Sequence, residues 1–152
     1  MMKQLTKGTW VVIADGEKAL FLENVADTVH PELVVQRIDA QENPSDRAQG
    51  SDRPGRMADT GPGHRSALEE TDWHELAKMR FADDLAETLL RMVQQGRIER
   101  LVLAAAPRIL GEVRRSLHKS VADILVAEID KTLTNHPIDE IEKLVKDEIE
   151  AV

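Results

Sequence analysis

At 152 residues, with 41% hydrophobic and 32% charged residues, the chain has a globular balance and enough length for a continuous core. It lacks cysteine, which excludes disulfides, thiolate metal sites and cysteine nucleophiles, and 3% aromatics is too few for a base-stacking platform. A net charge of −8 disfavours broad, charge-driven binding to nucleic acid or anionic membrane, although a local basic patch is compatible with it.

No segment approaches the roughly 20 apolar residues of a membrane span, and residues 1–7 have no signal-peptide pattern. The expectation is one cytoplasmic domain over 1–152 without membrane insertion.

The first third reads as three strands. Thr9–Ala14 is a short apolar run, the pattern of a strand covered on both faces. Asp15-Gly16 is a hairpin turn signal, Lys18–Val25 the returning strand, and Glu32–Ile38 a third strand after Pro31. Short connections predict an antiparallel meander.

Periodicity is lost from Gln41 to about Thr71. Gly50, Gly55, Gly61 and Gly63 alternate there with Pro44, Pro54 and Pro62, and Arg47, Arg53, Arg56, His64 and Arg65 are interleaved with Asp46, Asp52 and Asp59. A stretch of that length without periodicity points to a functional loop.

A long amphipathic helix is expected from about Thr71 to Gln95, with Trp73, Leu76, Ala77, Phe81, Leu85, Leu89 and Val93 inward and Gly96 just past its end. Its start is open between Ser66, paired with Glu69 as a capping box, and Thr71. Arg100–Ala105 then reads as a buried strand, and Pro107 opens a helix to about His118 or beyond, with Ile109, Leu110, Val113 and Leu117 inward. Leu125–Lys131 alternates as a half-exposed strand, and Pro137 opens a last helix with Ile138, Ile141, Val145 and Ile149 inward.

The order β-β-β-α-β-α-β-α predicts an α/β, ribonuclease H-like, three-layer domain with a mixed five-stranded sheet.

Asp15, at the end of the first strand, is a candidate carboxylate for a two-metal nuclease, although Asp-Gly is also the commonest turn pair. His64 and His74, with Glu70 and Asp72 between them, lack the tight spacing of a metal motif, so neither metal nor cofactor is expected. Arg108 stands in the first turn of a helix, against the favourable dipole sense, which implies a phosphate or an acidic side chain as its partner. In Ser51-Asp52-Arg53-Pro54-Gly55-Arg56, a Pro-Gly turn presents arginine forks suited to phosphate or carboxylate.

The run from Trp10 to Ala19 resembles the opening strand and turn of the bacterial host attachment protein family, whose members are described as required for attachment to host cells. Ser51–Arg56, Phe81-Ala82, Leu101–Gly111 and Leu133-Thr134 followed by Pro137 are similar to that family's other signatures, in order along nearly the whole chain. That family is related to the middle domain of archaeal and eukaryotic peptide-chain release factors, so the resemblance implies a ribonuclease H-like fold. In those factors a loop before the long helix carries Gly-Gly-Gln, which acts in peptidyl-tRNA hydrolysis. Here Gly61-Pro62-Gly63-His64-Arg65-Ser66-Ala67-Leu68 keeps the Ser-Ala-Leu continuation, but His64-Arg65 replaces the motif and the hydrolytic glutamine is missing.

The leading expectation is a non-catalytic binding module that uses Arg47, Ser51, Asp52, Arg53, Arg56, His64, Arg65 and Arg108, with the ribosome or structured RNA as partner. One alternative is an enzyme, a hydrolase of peptidyl-tRNA-like esters or a metal-dependent nuclease, with Asp15 and His64 at stake. The other is a protein-interaction factor for attachment, with protein partners. Oligomeric state is not legible in the sequence.

Overall fold

The computed structural model describes residues 4–40 and 67–150, with side chains in the long helix from Asp72 onward. The elements are β1 (Trp10–Ala14), β2 (Lys18–Asn24), β3 (Leu33–Ala40), α1 (Ala67–Gln94), β4 (Leu101–Ala105), α2 (Pro107–Ser116), α3 (Lys119–Ala122), β5 (Leu125–Ile129) and α4 (Ile138–Glu150). Five strands form one sheet in the order β3-β2-β1-β4-β5, antiparallel among the first three and parallel from β1 through β4 to β5. This is the mixed five-stranded α/β arrangement that the element order predicts.

Every residue of β1 and β4 is buried, as expected of apolar runs at the centre of a sheet with helices on both faces. Trp10, Val12 and Ala14 pack with Leu101, Leu103 and Ala105 against α1, α2 and α3. Val11, Ile13, Val102 and Ala104 face the other way, against Ile141, Val145 and Ile149 of α4.

The β1–β2 turn is offset by one residue from the sequence reading. Asp15 donates its N–H to the Lys18 carbonyl at 3.1 Å, so Gly16 and Glu17 are the central pair. Gly16 has φ +94°, a region open to glycine because it has no Cβ. At the far end of the meander the buried Asn24 amide donates to the Leu5, Thr6 and Asp27 carbonyls, and its oxygen accepts from Ala26 and Glu32. The outermost strand is tied to the last helix, since the Leu33 N–H donates to Glu142 Oε2 at 2.8 Å.

Helix α1 begins at Ala67, directly after Ser66, so the earlier start holds and the expected 41–71 loop is shorter by Ala67–Thr71. It ends with Gly96 at φ +76° and the Arg97 N–H donating to the Met92 carbonyl at 3.0 Å, a glycine-terminated stop. Two residues expected inward are not, because Trp73 is 38% exposed and Leu76 55%. The cause is length. At 28 residues α1 is about 42 Å long, against roughly 17 Å for a five-residue strand such as β1. Its continuous buried stripe starts at Phe81 and runs through Ala82, Leu85, Ala86 and Leu89 to Met92.

The helix opened by Pro107 stops at Ser116, where Leu117 turns extended while staying packed on the core. His118 then caps the unanticipated α3, its Nδ1 accepting from the Ser120 N–H at 3.1 Å.

Candidate functional site

The carboxyl ends of the parallel strands gather the described residues that the sequence marks as candidates, the usual place for a site in sheets of this kind. Four segments meet there. They are the β1–β2 turn with Asp15 and Gly16, the β4–α2 junction with Arg108 and Ile109, the β5–α4 connection with Thr134, and the early part of α1 with Glu75 and Lys78.

Asp15 accepts three hydrogen bonds. Its Oδ1 accepts from the Glu17 and Lys18 N–H groups, both at 2.9 Å, and its Oδ2 accepts from the Thr134 hydroxyl at 2.8 Å. Partial burial on its own would push the carboxyl up; the bonds from Glu17, Thr134 and Lys18, helped by the Lys18 charge, outweigh it and hold Asp15 below the ordinary aspartate range. Such a carboxylate closes a turn and tethers the connection that leads into α4. The nuclease reading needs neighbouring carboxylates, and no group of three or more His, Asp or Glu fit to hold a metal occurs among the described residues.

Arg108 has the acidic partner that its position implies. Its Nη1 lies 3.2 Å from Glu75 Oε2, although the guanidinium itself is 70% exposed. That oxygen is shielded from solvent and has no directed hydrogen bond, so the contact is one of charge and proximity. Beside it, a Cβ on Gly16 would stand 3.0 Å from Lys78 Cγ and 3.3 Å from Ile109 Cδ1, so the glycine lets α1 and α2 close over the turn. Ala106 gives α2 no side-chain cap, and its first turn holds no acidic residue.

Further along α2, Arg114 is paired with Glu128, Arg115 with Glu112, and Ser116 donates to Asp83 at 2.7 Å. These account for the basic end of the helix without a ligand.

Arg47, Ser51, Asp52, Arg53, Arg56, His64 and Arg65 lie outside the described residues. Glu75 and Lys78 escaped the sequence reading because each sits on a helix face that periodicity assigns to solvent. Thr134 was visible only as part of a signature, since nothing local marks a threonine as the partner of an aspartate 119 residues away.

The profile of the bacterial archaeo-eukaryotic release factor family 12 matches residues 8–145. The chain belongs to that family. Among solved structures, this family 12 chain is similar to the crystal structure of the archaeal translation termination factor aRF1, with 13% identity and a TM-score of 0.48. The likeness covers 94% of the family 12 chain but 36% of aRF1, so the chain spans little more than a third of that factor. No match is found among curated proteins. The family match supports the release-factor side of the resemblance, and the host attachment side receives no support. No described helix of this family 12 protein is long and apolar enough to cross a membrane.

Proposed function

We propose that this chain is a non-catalytic binding module of translation, working in the cytoplasm, that presents Arg47, Arg53, Arg56 and Arg65 to a ribosomal RNA phosphate surface. Membership of the release-factor family carries this reading. Helix α1 supports it: the helix is longer than the sheet it covers, and its excess lies at the N-terminal end, directly after the arginine-rich segment in sequence. Asp72, Trp73, His74 and Leu76 are exposed there. Ser51, Asp52 and His64 belong to the same segment, and the exposed Arg108 stands at the same end of the fold. The reading is binding rather than hydrolysis because Gly61–Leu68 lacks Gly-Gly-Gln and Asp15 is engaged in closing its turn and holding Thr134.

Arginine forks gain affinity by displacing counterions from phosphates, so salt dependence is the signature. Co-sedimentation with purified ribosomes should weaken as salt rises. The double variant Arg53→Ala, Arg56→Ala should bind less and lose about 0.7–0.9 of salt slope per arginine removed. Equal pelleting of wild type and double variant at low and moderate salt would sink the proposal.

A further inference from the structure

The three arginines of α2 are held in different ways. Arg114 donates from Nε to both carboxylate oxygens of Glu128, and Arg115 donates to Glu112 Oε1 at 2.8 Å. Arg108 differs. Its Nη1 approaches Glu75 Oε2 to 3.2 Å, but that oxygen has no hydrogen-bond partner. The guanidinium fork of Arg108 thus lies beside a carboxylate without being spent on it.

Glu75 comes from the early part of α1, between the exposed Trp73 and Leu76, and not from the helix that carries Arg108. A shielded carboxylate oxygen that receives charge but no N–H is poorly compensated for its lost water. With the Arg108 side chain 70% exposed, the pair stabilises the fold only weakly. The first turn of α2 holds no acidic residue, and the helix dipole there disfavours a cation, so its own helix gives Arg108 no competing anion. An anion with two oxygens free to accept a guanidinium fork is a better partner than this carboxylate, and a phosphate diester has two such oxygens.

We infer that Glu75 is an internal competitor for RNA phosphate at Arg108. Its carboxylate occupies the guanidinium in the free protein and yields it to a phosphate diester on binding. The inference rests on the RNA reading proposed above and adds a residue that opposes binding. Glu75 acts twice, first by holding Arg108 and then, once displaced, as a negative charge beside the incoming phosphate.

Co-sedimentation with purified ribosomes at several salt concentrations tests it, using Glu75→Gln, Arg108→Ala and the two combined. Glu75→Gln keeps the shape and removes the charge, and should bind about two- to fivefold tighter than wild type, the range of an exposed ion pair. Its salt slope should steepen by up to about 0.7–0.9, one phosphate contact. Adding Arg108→Ala should abolish the gain. Glu87→Gln is the charge control, since it breaks the exposed pair with Arg91 about three turns further along α1, and it should leave binding unchanged. A Glu75→Gln variant no tighter than wild type overturns the inference. A gain that survives Arg108→Ala, or that Glu87→Gln reproduces, overturns it too. Those results leave the ribosome reading in place wherever wild type still pellets in a manner that depends on salt, Arg53 and Arg56. Loss of that dependence is the failure of the reading itself, whatever Glu75→Gln does.

Discussion

Replacing Thr134 with valine removes one hydroxyl of almost unchanged shape and isolates the tether between the β5–α4 connection and the first turn. Thr134 is 6% exposed and donates to Asp15 Oδ2 at 2.8 Å. A hydrogen bond to a charged acceptor contributes about 1.5–3 kcal/mol, and solvent around the half-exposed Asp15 brings the expected loss to roughly 1–1.5 kcal/mol. For a chain of this size that is about 2–6 °C in Tm. Urea unfolding at about pH 7 and pH 5 should show the same loss, with m unchanged. The sign of the pH dependence follows from Asp15. Its pKa in the folded state lies below the ordinary 3.8, so its stabilising contribution is complete above that value and fades as pH falls through the folded pKa. Thr134→Val brings the folded pKa back toward 3.8, so the gap between variant and wild type should close in acid. A loss under about 0.3 kcal/mol near neutrality, or a gap that widens as pH falls below 4, would refute the tether.

Gly16→Ala should cost about 1–2 kcal/mol in urea unfolding, mostly from backbone strain at φ +94°, because the nearest atom, Lys78 Cγ at 3.0 Å, belongs to a flexible side chain. Along α1 the cost of truncation should rise sharply with position. Leu76→Ala should stay within about 0.5 kcal/mol because that residue is 55% exposed. Phe81→Ala, one and a half turns later and 7% exposed, should cost about 3–4 kcal/mol. Comparable losses at the two positions would contradict the exposed start of the helix.

The sheet was readable because its strands carry their environment in their composition: Trp-Val-Val-Ile-Ala and Leu-Val-Leu-Ala-Ala have no polar position, and both are central. The antiparallel meander followed from short connections, and the parallel pairing from the helices between strands. Periodicity failed where it could not report length. The stripe of α1 continues to Trp73 and Leu76 although the sheet beneath has ended, and a repeat of apolar residues says nothing about what lies opposite. The break before α3 was missed because it depends on an imidazole accepting from the backbone two residues on, a local choice that a pattern of apolar residues cannot show. In the candidate site, Arg108 announced that it needed an anion but not which one. Glu75 supplies it from another element, and such long-range pairings are written in the fold rather than in any local run.

The order of the strands also sets a timetable for synthesis. β1 finds β2 a few residues after it emerges, yet its other flank belongs to β4, and Trp10 pairs with Leu101. The N–H of Leu33 waits longer still for Glu142, 109 residues downstream. During translation the meander therefore stands with one edge of its most apolar strand open while α1 is made, an interval in which unpaired strand edges invite misassociation. Closure must come late, and the long, charged α1, made in between, gives the nascent chain polar surface while it waits.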